Sequence, residues 1–110
     1  MLDIDSYQEF AVSKMSRDLT KKEELATLAL GIAGEGGEVA DHVKKHIGHG
    51  HDLDEEHLVK ELGDVLWYVA TLADHLGIKL SDVAHRNIEK LSNRYPKGFT
   101  IEDSKNRKDK

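Results

Sequence analysis

Acidic residues three positions apart recur along this chain, and at that spacing two carboxylates share one face of a helix. Four such pairs fall within predicted helices or their caps: Glu35/Glu38, Glu38/Asp41, Asp52/Glu55 and Glu61/Asp64. The Asp52/Glu55 pair lies in a polar stretch at a helix start, where negative charge is favourable anyway. The first and last pairs instead border apolar residues. A carboxylate at the edge of a core is costly unless it is paired or binds a cation.

The first and last of these pairs predict a divalent metal site. They lie on consecutive predicted helices, so four carboxylates would converge on one point if the helices run antiparallel. The chain has no cysteine, and carboxylate oxygens suit Mg²⁺, with Mn²⁺ as a substitute, better than zinc. Because magnesium is often held by a few carboxylates together with substrate phosphates, an anionic, phosphorylated substrate is expected. The predicted chemistry is hydrolysis or transfer at phosphorus.

Two capping boxes predict the first two of four amphipathic helices. Ser6 with Glu9 predicts a helix over about residues 7–17. Thr20 with Glu23 opens a long helix that ends near residue 48. Glycines interrupt this long helix, at a cost of about 1 kcal/mol each relative to alanine. Either the helix breaks there, or another element or a ligand packs closely against its backbone. These glycines are Gly31, Gly34, Gly36 and Gly37.

Further caps delimit two more helices. Asp52 or Asp54 predicts the start of the third helix, and Gly77 predicts its end. Ser81 predicts the start of a fourth helix, which fades before Pro96. Because the loops are short, neighbouring helices should run antiparallel. The predicted fold class is therefore an all-α four-helix bundle.

Composition narrows the class of protein. The 110 residues suit one domain, predicted over residues 1–101, with a polar, flexible tail over residues 102–110. The formal charge of −5 argues against a nucleic-acid polymer as partner, because such binders must neutralise phosphates. No apolar stretch approaches the length of a membrane span, and the acidic start over residues 1–5 is unlike a signal peptide. We expect a cytoplasmic protein with no membrane partner.

Three segments of the chain form a recognisable set. They are LALGIAGEGGEVAD over Leu28–Asp41, ELGDVLWY over Glu61–Tyr68, and NIEKLSNRYPKGF over Asn87–Phe99. Together they resemble the MazG-like nucleoside triphosphate pyrophosphohydrolases, of the all-α NTP pyrophosphatase superfamily. That family carries an ExxE motif on one helix and an ExxD motif on the next. The order and spacing of the two acidic motifs and a closing motif carry the resemblance, which covers about residues 6–100.

The resemblance implies an all-α bundle that assembles as a homodimer or as a tetramer, a dimer of dimers. It implies Mg²⁺-dependent hydrolysis of nucleoside triphosphates to a monophosphate and pyrophosphate, in nucleotide pool control or house-cleaning. By motif position the metal ligands would be Glu35, Glu38, Glu61 and Asp64. Glu35 or Glu38 would also be catalytic, by orienting or deprotonating the attacking water. The phosphate-binding residues would be Asn87, Lys90 and Arg94.

Several alternatives stay open at this point. Gln8 and Trp67 are candidates for base binding, although an aromatic residue in a bundle is more often part of the core. The substrate alternatives are those of the related phosphoribosyl-ATP pyrophosphohydrolase and of the all-α dUTP hydrolases. A different class is a non-catalytic, metal-binding interaction module, since imidazoles at helical spacing bind zinc, copper or nickel. Its ligands would come from His42, His46, His49 and His51.

Overall fold

Residues 1–107 are described by the computed structural model, and they form helices and no β-strand. The predicted all-α class is confirmed, with five helices rather than four. The helices are α1 (Ile4–Ser13), α2 (Lys21–His49), α3 (Glu55–His75), α4 (Leu80–Arg94) and α5 (Ile101–Lys105). The two longest, α2 and α3, form an antiparallel hairpin, and α1 packs against α3 and α4. No helix within this part of the chain is long and apolar enough to cross a membrane.

The ends of α2 and α3 follow the sequence signals. The Thr20 hydroxyl accepts a hydrogen bond from the Glu23 N–H at 3.1 Å, and the Glu23 carboxylate accepts one from the Thr20 N–H at 3.0 Å. This confirms the predicted capping box. The Asp54 carboxylate caps α3 by accepting the His57 N–H at 3.0 Å. Gly50 ends α2 with a φ of 69°, a left-handed conformation that glycine adopts without strain.

The terminal segments differ from the prediction. Helix α1 begins earlier than expected, because Asp3 rather than Ser6 is its N-cap and accepts the Ser6 N–H at 2.8 Å. The polar tail begins as a helix, since the Thr100 hydroxyl caps α5 by accepting the Asp103 N–H at 2.9 Å. The end of the predicted tail, residues 108–110, lies outside the described residues.

The start of α4 is capped from another helix. The prediction that Ser81 caps it was wrong, because the N-cap position is Lys79, which makes no side-chain capping bond. The Asp5 carboxylate of α1 instead accepts the Ser81 hydroxyl at 2.6 Å and the Ser81 N–H at 2.9 Å. These two bonds, the hydroxyl bond first, hold the pKa of Asp5 below its ordinary value. A charged group of α1 thus orders the beginning of α4.

A buried glutamine joins α1 to the same region. The Gln8 amide nitrogen donates to the carbonyl oxygens of Ala70 and Ile78, both at 3.0 Å. Its amide oxygen accepts the Leu80 N–H at 2.9 Å. Gln8 therefore holds α1 against the end of α3 and the beginning of α4. The core around it is small and consists of Ala11, Ala70 and Leu80, with Tyr7, Trp67 and Val69 packed against it.

Helices α2 and α3 keep a single register against each other along most of their length. The contacts that show this are Glu24 with His75, Gly31 with Tyr68, and His42 with His57. Gly31 and His42 are eleven residues apart on α2, and His57 and Tyr68 are eleven apart on α3. Because both helices rise equally per residue, equal intervals keep the pairs at matching heights. We call this line of facing positions the α2–α3 seam.

The glycines of α2 differ in how closely other residues pack against them. Helix α2 runs unbroken through all of them, so the alternative that it breaks is wrong. A Cβ built on Gly31 would overlap the Tyr68 ring, which confirms close packing at this glycine. A Cβ on Gly34, Gly36 or Gly37 would meet nothing within 4 Å. Among the described residues, packing therefore requires a glycine at Gly31 alone of the four.

The seam predicts opposite effects for two glycine-to-alanine changes on α2. Gly31→Ala should lower the free energy of unfolding by about 1–2 kcal/mol, because displacing the Tyr68 ring outweighs the gain in helix propensity. Gly34→Ala should raise it by up to about 1 kcal/mol, since its added methyl meets open space. Urea unfolding followed by circular dichroism measures both. Equal shifts of the same sign would contradict the close approach of Tyr68 to Gly31.

Gln8→Met tests the buried glutamine bridge. The side chain keeps a similar length but loses the hydrogen bonds to the Leu80 N–H and to the Ala70 and Ile78 carbonyls, so the free energy of unfolding should fall by about 3 kcal/mol. The neighbouring exposed change Glu9→Gln serves as control and should shift it by less than about 0.5 kcal/mol. A Gln8→Met loss as small as that of the control would show that the three hydrogen bonds do not stabilise the fold.

Candidate functional site

The seam brings the two predicted acidic pairs to adjacent heights. Glu35 lies four residues after Gly31, and Asp64 lies four residues before Tyr68, so these two carboxylates are level. Glu38 and Glu61 lie seven residues from the same two anchors and are level in turn. Positions four and seven apart share one helix face. The four carboxylates therefore lie at two consecutive levels along the two helices.

Burial differs sharply among the four. Glu61 is only 6% exposed, Glu35 is half-buried, and Glu38 and Asp64 are exposed. One Glu61 oxygen, Oε1, is buried and makes no hydrogen bond. An unpaired buried carboxylate oxygen is costly in a protein interior. Among the four carboxylates, Glu61 is thus the one whose surroundings most require a cation.

A small cavity opens beside Glu61 between α2 and α3. Its volume is about 120 Å³. Asp41 on its rim is held by Lys45 at 2.8 Å and by Lys44 at 3.3 Å, and these bonds lower the pKa of Asp41. Asp41 thus has cationic partners on its own helix. The residues that line the cavity are Glu38, Asp41, His42, Lys45, His57 and Glu61.

Asp64 lies toward α1 rather than toward this cavity. Partial burial raises the pKa of the Tyr7 hydroxyl, and the negative charge of Asp64 raises it further. Tyr7 packs against the small core of α1, α3 and α4. The Glu61/Asp64 pair therefore spans from the α2 side of α3 to the α1 side, although both residues belong to one motif.

The closest convergence of possible metal ligands includes two histidines. Over residues 1–107, the group that brings three such atoms within 4.8 Å of one another is His42, His57 and Glu61. The four carboxylates are level in pairs but do not converge to this degree. His57 is not among the metal ligands predicted from the sequence. The available signal was its position four residues before Glu61, matched on α2 by His42 four residues after Glu38.

The other histidines of the proposed loop cluster lie apart from His42. The His46 ring is hydrogen bonded to the His51 carbonyl at 2.7 Å, which fastens the loop to the end of α2. The rings of His49 and His51 are 6.4 Å apart between centroids. The structure therefore places His42 with His57 across the seam rather than with the histidines that follow it in sequence.

The predicted phosphate-binding residues lie on a different surface. Asn87 and Lys90 are exposed and line a cavity of about 430 Å³ together with Ile4 of α1 and Val83 of α4. Arg94 lies over the Tyr95 ring, 5.8 Å from its centroid. Neither Asn87 nor Lys90 lines the cavity beside Glu61. One chain does not bring these α4 residues into the cavity that holds the acidic side chains.

The two candidate base-binding residues, Gln8 and Trp67, both make contacts within the fold. Both amide hydrogens of Gln8 are taken by backbone carbonyls, so a base contact through them would have to break one of these bonds. We therefore assign Gln8 a structural role. Trp67 is half-buried and meets Tyr68 edge to face, with 5.0 Å between ring centroids. Trp67 also borders a cavity of about 110 Å³ next to Leu28 and Glu24, so one part of its ring remains accessible.

Comparison with known proteins identifies the family. Residues 23–99 match the model of the MazG nucleotide pyrophosphohydrolase domain, and the chain therefore belongs to the MazG family. The matched range includes both acidic motifs and all of α3 and α4. The chain is also 35% identical, over 114 aligned positions, to the Gene 37 protein of Mycobacterium phage L5. That alignment covers 96% of this chain and the whole of the phage protein. No solved structure gives a significant match.

Proposed function

We propose that this protein hydrolyses nucleoside triphosphates to a nucleoside monophosphate and pyrophosphate, with Mg²⁺ as cofactor, in nucleotide pool control. Membership of the MazG family supports a nucleotide pyrophosphohydrolase in general. The observation that carries the finer proposal is that Glu61 is buried, with one oxygen that makes no hydrogen bond, beside a cavity that Glu38 also lines. This arrangement supports a site for a divalent cation, which would offset the cost of the buried charge.

The residues that would hold the cation are Glu35, Glu38, Glu61 and Asp64. When bound, Mg²⁺ neutralises phosphate charge and makes a coordinated water more acidic. Glu61 has the most restricted position, because its side chain is buried between the helices. Glu38 is exposed at the rim of the same cavity. In the proposed reaction a Glu38 carboxylate oxygen accepts the proton of the attacking water.

The bond that breaks lies between the α-phosphorus and the oxygen that bridges it to the β-phosphate. Water supplies the new oxygen on the α-phosphorus, and pyrophosphate leaves with the bridging oxygen. Cationic and amide groups stabilise the charge that develops on the leaving phosphates. We assign this role to Lys90 and Asn87, with Arg94 as a further phosphate contact.

A homo-oligomer, either a homodimer or a tetramer, is part of the proposal. Leu66, Leu62 and Val59 recur along α3 with exposures of 42%, 54% and 65%. A contiguous apolar stripe of this kind is typical of a face that another subunit covers. An assembly would also explain why Asn87 and Lys90 line a different cavity from Glu38 and Glu61 in the single chain. The α4 residues would then serve the carboxylates of a second copy.

Nucleotide hydrolysis is tested with a panel of canonical and modified ribo- and deoxyribonucleoside triphosphates plus Mg²⁺, by quantifying monophosphate and pyrophosphate. Turnover should stop with EDTA. Glu38→Gln should lower kcat by about 100-fold or more, because it removes the proton acceptor. Glu55→Gln, from an acidic pair at the start of α3 that faces solvent, is the matched control and should retain activity.

The outcomes of this assay separate the alternatives. Turnover confined to dUTP, or to phosphoribosyl-ATP when that compound is added to the panel, would replace general nucleotide hydrolysis by the corresponding specific reaction. Activity that survives both EDTA and Glu38→Gln would contradict the proposed carboxylate site. A complete lack of turnover with every nucleotide would contradict the proposed reaction itself.

The oligomer is tested by size-exclusion chromatography with light scattering. The wild-type chain should elute with two or four times the chain mass of 12.4 kDa. Leu66→Glu places a charge in the exposed stripe of α3 and should shift the protein to a monomer. Leu2→Glu, at an exposed position in the N-terminal segment, should leave the assembly intact. A wild-type protein that remains a monomer at micromolar concentration would contradict this part of the proposal.

A further inference from the structure

Two imidazoles lie beside the buried Glu61 carboxylate at distances longer than those of a charged hydrogen bond. Glu61 Oε1 lies 3.4 Å from His42 Nδ1 and 3.5 Å from His57 Nε2. A hydrogen-bonded ion pair between an imidazolium and a carboxylate would be about 2.7–2.9 Å long. Neither contact has the geometry of a hydrogen bond, since Oε1 has no hydrogen-bond partner. The three groups therefore lie within ion-pair distance without hydrogen bonding to one another.

The spacing fits ligands that share one ion. Zinc lies about 2.0–2.2 Å from its nitrogen and oxygen ligands, so two ligands at a tetrahedral zinc lie about 3.3–3.6 Å apart. Both nitrogen-to-oxygen distances here fall within that range. The His42 and His57 rings face each other across the seam, 5.4 Å apart between centroids.

We infer that His42, His57 and Glu61 form a site for a transition-metal ion of the zinc class, separate in its donor chemistry from a magnesium site. Imidazole nitrogens suit zinc, cobalt, nickel and copper, whereas magnesium prefers oxygen ligands and retains its waters. Three protein ligands leave a fourth position open for water. The adjoining cavity of about 120 Å³ has room for that water, whose share of liquid volume is about 30 Å³.

The neighbouring charges do not compete for this position. Lys45 lies on the rim of the cavity but is held by Asp41 at 2.8 Å. The hydrogen bond to Asp41 raises the pKa of Lys45, and the charge of Glu38 adds to this effect. The ion would join the C-terminal half of α2 to the first turns of α3, at the level next to the facing pair Glu38 and Glu61.

The site shares Glu61 with the carboxylate set of the proposed hydrolase. An ion held by the two histidines would draw Glu61 away from that set. Zinc should therefore lower magnesium-supported hydrolysis, a consequence that rests on the proposed function. For this reason the binding test is made without nucleotide, so that metal binding and hydrolysis can fail independently.

The test is a titration of untagged protein with Co²⁺, followed by visible absorption, and with Zn²⁺, followed by calorimetry. We expect one ion per chain and the intense absorption of tetrahedral cobalt, which zinc then displaces. His57→Gln removes an exposed ligand and should weaken binding by at least about 10- to 100-fold, the loss seen when residues that only support metal ligands are changed. His49→Gln, a nearby histidine outside the cluster, should bind as the wild type does.

Asp64→Asn distinguishes this site from the carboxylate site. It removes one predicted magnesium ligand and none of the three zinc-class ligands, so cobalt and zinc affinities should stay unchanged. A loss with Asp64→Asn as large as with His57→Gln would locate the ion among the carboxylates and overturn the inference. Wild-type affinity in His57→Gln, an equal loss in His49→Gln, or no saturable binding to the wild type would also overturn it.

Discussion

Helices α2 and α3 pack in one register, and this register sets which residues of the two helices lie side by side. Facing positions along the two helices are separated alternately by four and three residues, the spacing that keeps a seam on one face. The Tyr68 ring packs directly against the backbone of Gly31, which lets the two helices approach closely there. The His42 and His57 rings meet eleven residues further along α2 from Gly31. Between these contacts lie Glu35, Glu38, Glu61 and Asp64, of which Glu38 and Glu61 line one cavity.

A seam position is normally apolar, so acidic residues there oppose folding unless a cation compensates them. The structure concentrates this cost at Glu61, which is buried, and leaves Glu38 and Asp64 exposed. Stability therefore conflicts at Glu61 with the metal-binding role proposed for it. A bound divalent ion would relieve the conflict, and ion binding would then stabilise the folded chain as well as serve chemistry.

The helix pair needs support from the N-terminal helix because the apolar core is small. Helix α1 makes polar contacts where α3 ends and α4 begins. Gln8 forms hydrogen bonds with three backbone groups there, and Asp5 caps α4. These bonds define where α4 begins relative to α3. The large apolar residues left exposed on α3 show that burial within one chain is incomplete, which is the physical basis for proposing an assembly.

The helical class, the N-cap of α2 and the two acidic motifs can be predicted from the sequence, because capping and helical periodicity depend on neighbours a few residues apart. The role of Gln8, the capping of α4 by Asp5, and the meeting of His57 with His42 depend on tertiary packing. The partners in the Gln8 and Asp5 contacts lie more than 60 residues apart in sequence. The histidines lie on different helices and meet only once the register of α2 against α3 is set. Such contacts form through the packing of whole helices, so no local pattern of residues specifies them.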